Sequence, residues 1–250
     1  MSAATAELES LHPALWRASQ LGRGNTRCVD TGHISLSRQL PGGGWPVGTL
    51  VDLLVQQPGI GEMRLLAPAL RKVATRQVVM LQPPHAPQAI ALASLGLMPS
   101  QLLWLRADKT ADALWAAEQV LKSGSCGALL FWPDVLPSSS RMGHVRAESL
   151  RRLHLAAQQS ETLFFSMRPL TAASDASPAP LRLSVTATHG GINIGFVKRQ
   201  GPQRDEDLFL PMSVPGVTRV APHHETPTRV PATTQTDYAR REAISSAVGL

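Results

Sequence analysis

Residues 49–70 read TLVDLLVQQPGIGEMRLLAPAL, and the order of features in this stretch decides the fold that we expect. The apolar run at 49–55 is typical of a strand that is covered on both faces. A loop with two glycines follows, and the next residues have helical spacing. A nucleotide-binding domain places its phosphate loop between a buried strand and a helix of this kind.

The loop departs from a working phosphate loop at the residues that carry the chemistry. A P-loop reads G-x-x-x-x-G-K-[ST], in which Lys reaches the terminal phosphates and the hydroxyl binds Mg²⁺. Here Glu62 and Met63 follow the second glycine, and a carboxylate beside phosphates would repel them. We also expect Pro68 to kink the helix. The sequence therefore predicts a degenerate nucleotide loop made of Pro58, Gly59, Ile60, Gly61, Glu62 and Met63.

Short apolar segments alternate with helical segments from residue 49 to residue 167. This alternation predicts an α/β fold with a mainly parallel, twisted sheet flanked by helices. Two alternating segments around the turn THGG then predict a C-terminal antiparallel hairpin. The predicted strands are 49–55, 77–82, 102–105, 127–132, 162–167, 181–187 and 192–198, and the predicted helices are 86–95, 111–123 and 145–159.

The composition divides the chain into three parts. Residues 1–45 form an N-terminal lead-in, with a short helix predicted at 12–22 and a glycine-rich loop that begins at residue 40. Residues 46–211 form the α/β core. Residues 212–250 are rich in proline and threonine and poor in large apolar residues, so we predict a largely disordered C-terminal tail.

The net charge of +6 favours polyanionic partners, nucleic acid first, although ordinary solubility charge explains it equally well. No apolar stretch approaches the roughly 20 residues that span a bilayer, and the N-terminus lacks a secretory pattern. The two cysteines stand alone and the histidines have no ligand spacing. We therefore expect a cytoplasmic protein with no membrane segment, no metal and no cofactor.

Three blocks of sequence resemble the RecA recombinase family. They are the glycine-rich stretch LPGGGWPVGTLVDLL (40–54), the loop after it, and the segment from VVMLQPPHAP to GALLFWPDV (78–135). Within that family, HPALWRASQLG (12–22) and PGIGEMRLL (58–66) are similar to the ImuA branch, RecA-like proteins that accompany translesion DNA synthesis in bacteria. The resemblance covers roughly residues 10–210 and implies that the core is RecA-like.

The departures from RecA-like ATPases concern the hydrolytic site. Those enzymes have a water-activating acid after the second core strand, a Mg²⁺-holding acid at the Walker B strand, and a glutamine that senses the γ-phosphate. The positions that match these roles hold Pro83 and Pro84, then Trp132 with Asp134 two residues later, then Ser166, Met167 and Arg168. We therefore expect a pseudo-ATPase with degenerate Walker A and Walker B and no catalytic residue.

In RecA, a loop at the place of residues 171–180 helps to line the DNA path. Here that loop has no Lys or Arg, although phosphate contacts need cations, so solvated charges at strand ends are an equal alternative to DNA contact. We expect Trp104, Trp115 and Trp132 in the core. The candidate DNA contacts are Arg168, Arg182, Lys198 and Arg199, and the candidate partner contacts are Trp16, Trp45, Tyr238, Arg240 and Arg241.

The resemblance implies a non-catalytic accessory protein of SOS-induced, error-prone translesion DNA synthesis. Its partners would be an ImuB-type polymerase-like protein, an error-prone replicative-type DNA polymerase, and RecA itself. One alternative is a cell-division inhibitor like SulA, a shorter member of the same superfamily. The other is a divergent DNA-dependent ATPase, which would have to bind ATP despite Glu62.

Overall fold

The computed structural model describes residues 27–135, 145–201 and 206–212. The predicted helix at 12–22 and the tail beyond Met212 lie outside these residues, and so do Trp16, Tyr238, Arg240 and Arg241. The strands are β1 Cys28–Val29, β2 Trp45–Pro46, β3 Leu50–Val55, β4 Gln77–Leu81, β5 Leu102–Leu105, β6 Cys126–Phe131, β7 Leu163–Pro169, β8 Leu181–Thr188, β9 Gly191–Lys198 and β10 Leu208–Pro211. The helices are α1 Ile34–Ser37, α2 Glu62–Val73, α3 Ala89–Ser94, α4 Thr110–Ser123 and α5 Ala147–Ala157.

Eight of the strands form one sheet in the order β10-β9-β8-β3-β7-β6-β4-β5. From β8 to β5 every neighbouring pair is parallel, and β8, β9 and β10 pair antiparallel. The predicted fold class, a mainly parallel α/β sheet with a C-terminal antiparallel hairpin, is confirmed. The short strand β10, which extends this hairpin, was not predicted because four residues carry little periodicity.

Strand β3 lies in the middle of the sheet, and all six of its residues are buried. Val51 and Leu53 belong to the apolar layer that includes Leu66 of α2. Leu50 belongs to the opposite layer, with Leu121 of α4 and with α5. Because successive strand residues face opposite sides, a strand covered by helices on both faces is mostly apolar, as β3 is apart from the buried Asp52.

The glycine-rich stretch before β3 brings Trp45 into the core. Gly42 and Gly43 have φ of +77° and +79°, and the tight turn that they allow leads into β2, which pairs with β1. Trp45 is 0% exposed and packs edge-on against Phe165, with the ring centroids 5.2 Å apart. The prediction that Trp45 contacts a partner is therefore wrong, because no surface of this side chain is free.

Two of the tryptophans that were predicted in the core, Trp104 and Trp115, are exposed. Trp104 lies on β5, which is the edge of the sheet. Trp104 on β5 is 44% exposed because no strand covers its outer side, and Trp115 is 63% exposed on the outward side of α4. Trp132, in contrast, is buried as predicted. The apolar content of LLWL predicted a covered strand, whereas its place in the sheet order leaves it uncovered.

Helix α2 runs through Pro68 without a break. A Cβ atom on Gly32 would lie only 2.2 Å from the Cβ of Pro68, so the proline packs directly against the backbone of the lead-in.

Among the described residues, no helix is both long and apolar enough to cross a bilayer.

Candidate functional site

The degenerate nucleotide loop connects the carboxyl end of β3 to the amino end of α2, as predicted. Gly59 and Gly61 have φ of +89° and +133°, which disfavour a residue with a Cβ. Gly61 is the N-cap of α2, and its N–H is one of the groups that a helix leaves without an intrahelical partner. The backbone N–H of Gln56 donates to the carbonyl of Val185, which fixes the start of the loop to β8.

The acceptor for the loop amides is the carboxylate of Glu62, the first residue of α2. The N–H of Gly59 donates to Glu62 Oε1 at 2.7 Å, and the N–H of Gly61 donates to Oε2 at 3.1 Å. Glu62 is only 4% exposed. Both oxygens thus bond amides that a phosphate would use in a P-loop, and the carboxylate also lies favourably at the positive end of the helix dipole.

The sequence indicates that Glu62 repels phosphate, but it does not indicate that the carboxylate itself bonds the loop amides. A Glu at the first helical position is a common signal for a helix start, and its contact with a loop three residues earlier depends on the loop conformation. Beside it lies a cleft of about 210 Å³, lined by Glu62, Met63 and Arg64 on one side and by Ala91, Ser94 and Leu95 on the other. This is smaller than the roughly 300–1,000 Å³ of common ligand pockets.

A second cleft, of about 180 Å³, lies at the carboxyl ends of β3, β6 and β7. Its lining includes Trp132, Asp134 and Arg168, the residues that match the Mg²⁺-binding and sensor positions. Asp134 Oδ2 accepts from Arg168 Nε at 3.0 Å, and Oδ1 accepts from the backbone N–H of Val145 at 2.6 Å. Both oxygens of Asp134 are therefore used within the fold, where they connect β7 to Val145, two residues before α5.

Gln82, which follows β4 and precedes the matched positions Pro83 and Pro84, is bonded within the fold. Gln82 is buried in the left-handed region, with φ of +57°. Its side chain exchanges two hydrogen bonds with the backbone of Ala107, donating to the carbonyl at 2.6 Å and accepting from the N–H at 3.1 Å. This amide ties β4 to the segment after β5, and the matched positions Pro83 and Pro84 add no acid.

Two of the four candidate DNA contacts are wrong, because their guanidinium groups are buried in ion pairs. The side chain of Arg168 is 0% exposed and bonds Asp134 and Asp175. Arg182 donates from Nε to Asp52 Oδ2 at 3.1 Å, and Asp52 is itself fully buried. A guanidinium group that is buried in ion pairs with carboxylates has no exposed surface with which to bind a phosphate.

The two arginines hold the loop that was expected to line a DNA path. Arg182 Nη2 donates to the carbonyl of Ala172 at 2.7 Å, and Nη1 donates to the carbonyls of Ala173 and Asp175 at 3.1 and 3.2 Å. Ser177 donates to the carboxylate of Asp52 at 2.6 Å. Because the loop folds over the start of β8, residues 181–183 are all buried, whereas from residue 183 to residue 186 buried and half-buried residues alternate, as the sequence predicts for a strand with one covered face.

Lys198 and Arg199 remain at the end of β9, away from the ion pairs. Lys198 is exposed, and its ammonium donates to the carbonyl of Ser177 at 3.3 Å. Arg199 is half-buried, with its guanidinium 5.4 Å from the ring centroid of Phe196 and bonded to the carbonyl of Gln39. The structure therefore does not bring the four predicted cations together into one basic surface.

The fold and the loop together indicate the class of protein to which this chain corresponds. This is a mainly parallel α/β protein in which a glutamate of the chain itself bonds the amides of the loop between β3 and α2. No family model matches the chain. It is 28% identical over 107 residues to the cell division inhibitor SulA of Edwardsiella piscicida. The match covers 42% of this chain and 58% of that relative.

Proposed function

We propose that this protein is a non-catalytic, RecA-like accessory factor of SOS-induced, error-prone translesion DNA synthesis that acts through protein contacts in the cytoplasm. The single observation that carries the non-catalytic part is the Glu62 carboxylate on the amides of Gly59 and Gly61. The resemblance of residues 12–22 and 58–66 to the ImuA branch supports the pathway. The similarity to SulA supports a place in the wider RecA and SulA group.

The degenerate hydrolytic positions support the same proposal. Asp134 bridges Arg168 and the backbone of Val145, and Gln82 is bonded to Ala107. A group that is held by two buried hydrogen bonds has to give them up before it can bind Mg²⁺ or orient water, and an unsatisfied buried partner costs about 1–3 kcal/mol. Two of the residues at these matched positions, Asp134 and Arg168, are thus bonded to each other within the fold.

An apolar surface at the β5 edge supports the docking role. A groove of about 130 Å³ is lined by Leu103 and Trp104 of β5 and by Ala89 and Leu92 of α3. Ile90, next to this lining, is 84% exposed. Exposed apolar patches commonly mark interaction sites, and an edge strand offers backbone groups to a partner. We assign this surface, which we name the β5 groove, to an apolar segment of the ImuB-type polymerase-like protein.

Co-purification tests the proposal and the surface together. The full chain is expected to retain the ImuB-type protein, the error-prone replicative-type polymerase or RecA, with or without added ATP and Mg²⁺. W104A is expected to weaken retention of the ImuB-type protein at least ten-fold, whereas W115A, which changes an exposed tryptophan on α4, leaves it unchanged. If the full chain retains none of these three proteins, the proposal is contradicted.

A chain shortened after Pro211 separates the core from the tail. If the shortened chain retains the ImuB-type protein, the docking surface lies on residues 1–211, as the β5 groove requires. If retention is lost while W104A still binds, docking lies in the tail and the assignment of the β5 groove is wrong. Tight ATP binding by calorimetry, with hydrolysis that is lost on changing Gly59 or Gly61, would instead favour a divergent DNA-dependent ATPase.

A SulA-like cell-division inhibitor is the second candidate, and the 107-residue similarity favours it. The two candidates differ in their target, because a division inhibitor would act on the division machinery and not on a polymerase. Purified protein that blocks polymerisation of the division protein at stoichiometric amounts, and retains no polymerase component, would establish this alternative.

A further inference from the structure

The Glu62 carboxylate lies where a bound phosphate would lie relative to the loop. Its two oxygens accept from the amides of Gly59 and Gly61, at 2.7 and 3.1 Å, and the side chain is buried at the N-terminus of the twelve-residue helix α2. We infer that Glu62 is an internal ligand that fills the anion-binding cradle of the loop and keeps the loop in its occupied conformation without nucleotide. This inference rests on the same loop as the proposed function.

The loop conformation requires an acceptor at this point. Positive φ at Gly59 and Gly61 accompanies a loop in which both amides face the start of α2. Gly61 is buried whereas Gly59 is exposed, and buried N–H groups without an acceptor are rare in folded proteins. Gly61 lies close to β9, since a Cβ on it would be 3.2 Å from the side chain of Ile192. The glutamate therefore supplies the acceptor that the buried N–H of Gly61 needs.

An internal ligand also competes well with an external one. The carboxylate belongs to the residue next to Gly61, so it is present at a high effective concentration whatever the nucleotide level. Its negative charge repels a phosphate that approaches the same amides. Partner binding by this fold would thus be constitutive, whereas a phosphate loop that responds to nucleotide changes its contacts when the nucleotide is bound or hydrolysed.

A different role for Glu62 predicts a different result. If Glu62 only stabilises the start of α2, its removal weakens the helix and creates no anion site. If Glu62 is an internal ligand, its removal leaves two amides and a helix dipole that bind a small anion. Inorganic phosphate separates the two roles, because it fits the cradle without the rest of a nucleotide.

The experiment is a rescue of the full chain by inorganic phosphate, followed by thermal unfolding at constant ionic strength and pH. E62A is expected to unfold at a lower temperature than the wild type and to recover stability with saturation as phosphate is added. At ten times the Kd, the ratio of folded to unfolded protein rises about eleven-fold. Wild type and M63A, which keeps the carboxylate, are expected to show only the small, unsaturated effect that phosphate has on any protein.

E62S is measured in parallel, because serine is well tolerated at a helix start and the result then does not depend on one variant. Saturable recovery in E62A or E62S, absent from wild type and M63A, supports the internal ligand. A phosphate response in both variants no larger than in wild type overturns it. The phosphate experiment does not measure partner binding. A failed phosphate rescue therefore does not contradict the proposed function, and a failed co-purification does not contradict the role of Glu62 as an internal ligand.

Discussion

Replacing Arg182 with methionine tests whether the buried ion pairs belong to the fold or to a nucleic-acid surface. The side chain of Arg182 is 6% exposed and that of Asp52 is 0% exposed. Methionine keeps most of the length of the side chain but leaves the carboxylate without its cation. It also removes the donors to three loop carbonyls. Breaking a buried pair from one side costs about 3–5 kcal/mol, since the remaining charge stays desolvated.

For a chain of this size, each kcal/mol lowers Tm by about 2–4 °C, so R182M is expected to unfold about 6–20 °C below the wild type. Urea unfolding followed by circular dichroism measures the free energy directly. The matched control is K198M, because Lys198 pairs with Arg182 across β8 and β9 but is exposed. A surface change of this kind stays within about 0.5 kcal/mol.

The double variant R182M/D52N removes both charges, and it is expected to recover part of the loss, because the buried group that remains is neutral. If R182M lies within 1 kcal/mol of the wild type, or if K198M costs as much as R182M, then the reasoning from burial is refuted. Either result would return Arg182 to the candidate DNA contacts.

Three further predictions follow from the loop, the sheet and the core. E62K is expected to lower the free energy of unfolding by about 1–3 kcal/mol, since two loop amides lose their acceptor. It is also expected to show no ATP hydrolysis above a protein-free blank in a phosphate-release assay. Measurable turnover would contradict the proposed loss of the hydrolytic site. His154 Nδ1 accepts from the N–H of Leu50 at 3.2 Å, and burial lowers its pKa below the ordinary 6.5. The stability that neutral His154 contributes is therefore complete above pH 6.5 and is lost as the pH falls through the folded pKa. In H154N the side-chain Oδ1 accepts the same bond without titrating, so the free energy of urea unfolding is expected to depend less on pH in this range. An unchanged pH dependence would refute the role of the bond. In the same assay, W45A is expected to lower the free energy of unfolding by about 3–5 kcal/mol and W115A by less than about 0.5 kcal/mol, because of these two tryptophans only Trp45 is buried. Equal losses would place Trp45 at the surface.

The predicted strands of the parallel part of the sheet are short and mostly apolar, and the two hairpin strands were predicted from their alternation of apolar and polar residues. Strand β3 is buried along its whole length, and the predicted range 49–55 differs from it by one residue. Helix α4 ends where Gly124 takes the left-handed conformation, as its position after the helical pattern predicted. These features depend on local preferences and on hydrophobic periodicity, which the residues of one segment carry by themselves.

The candidate site was predicted in part. The place of the loop and the unsuitability of Glu62 for phosphate binding follow from the residues at 58–63. The bonds from Gly59 and Gly61 to Glu62 could not be predicted, because they depend on two backbone angles that the sequence only permits. The burial of Arg182 could not be predicted either, since its partner Asp52 is 130 residues away in the chain.

By itself, the sequence determined the α/β class, the loop between β3 and α2, and the presence of a carboxylate, and not a lysine, directly after the second glycine of that loop. Only the tertiary structure decided which charges are buried and which aromatic residues are exposed. The strand order places β5 at the edge, where Trp104 is exposed, and β8 beside β3, where Arg182 meets Asp52. Burial and ion pairing depend on neighbours that are distant in the chain, and these are brought together only by the order of strands in the sheet.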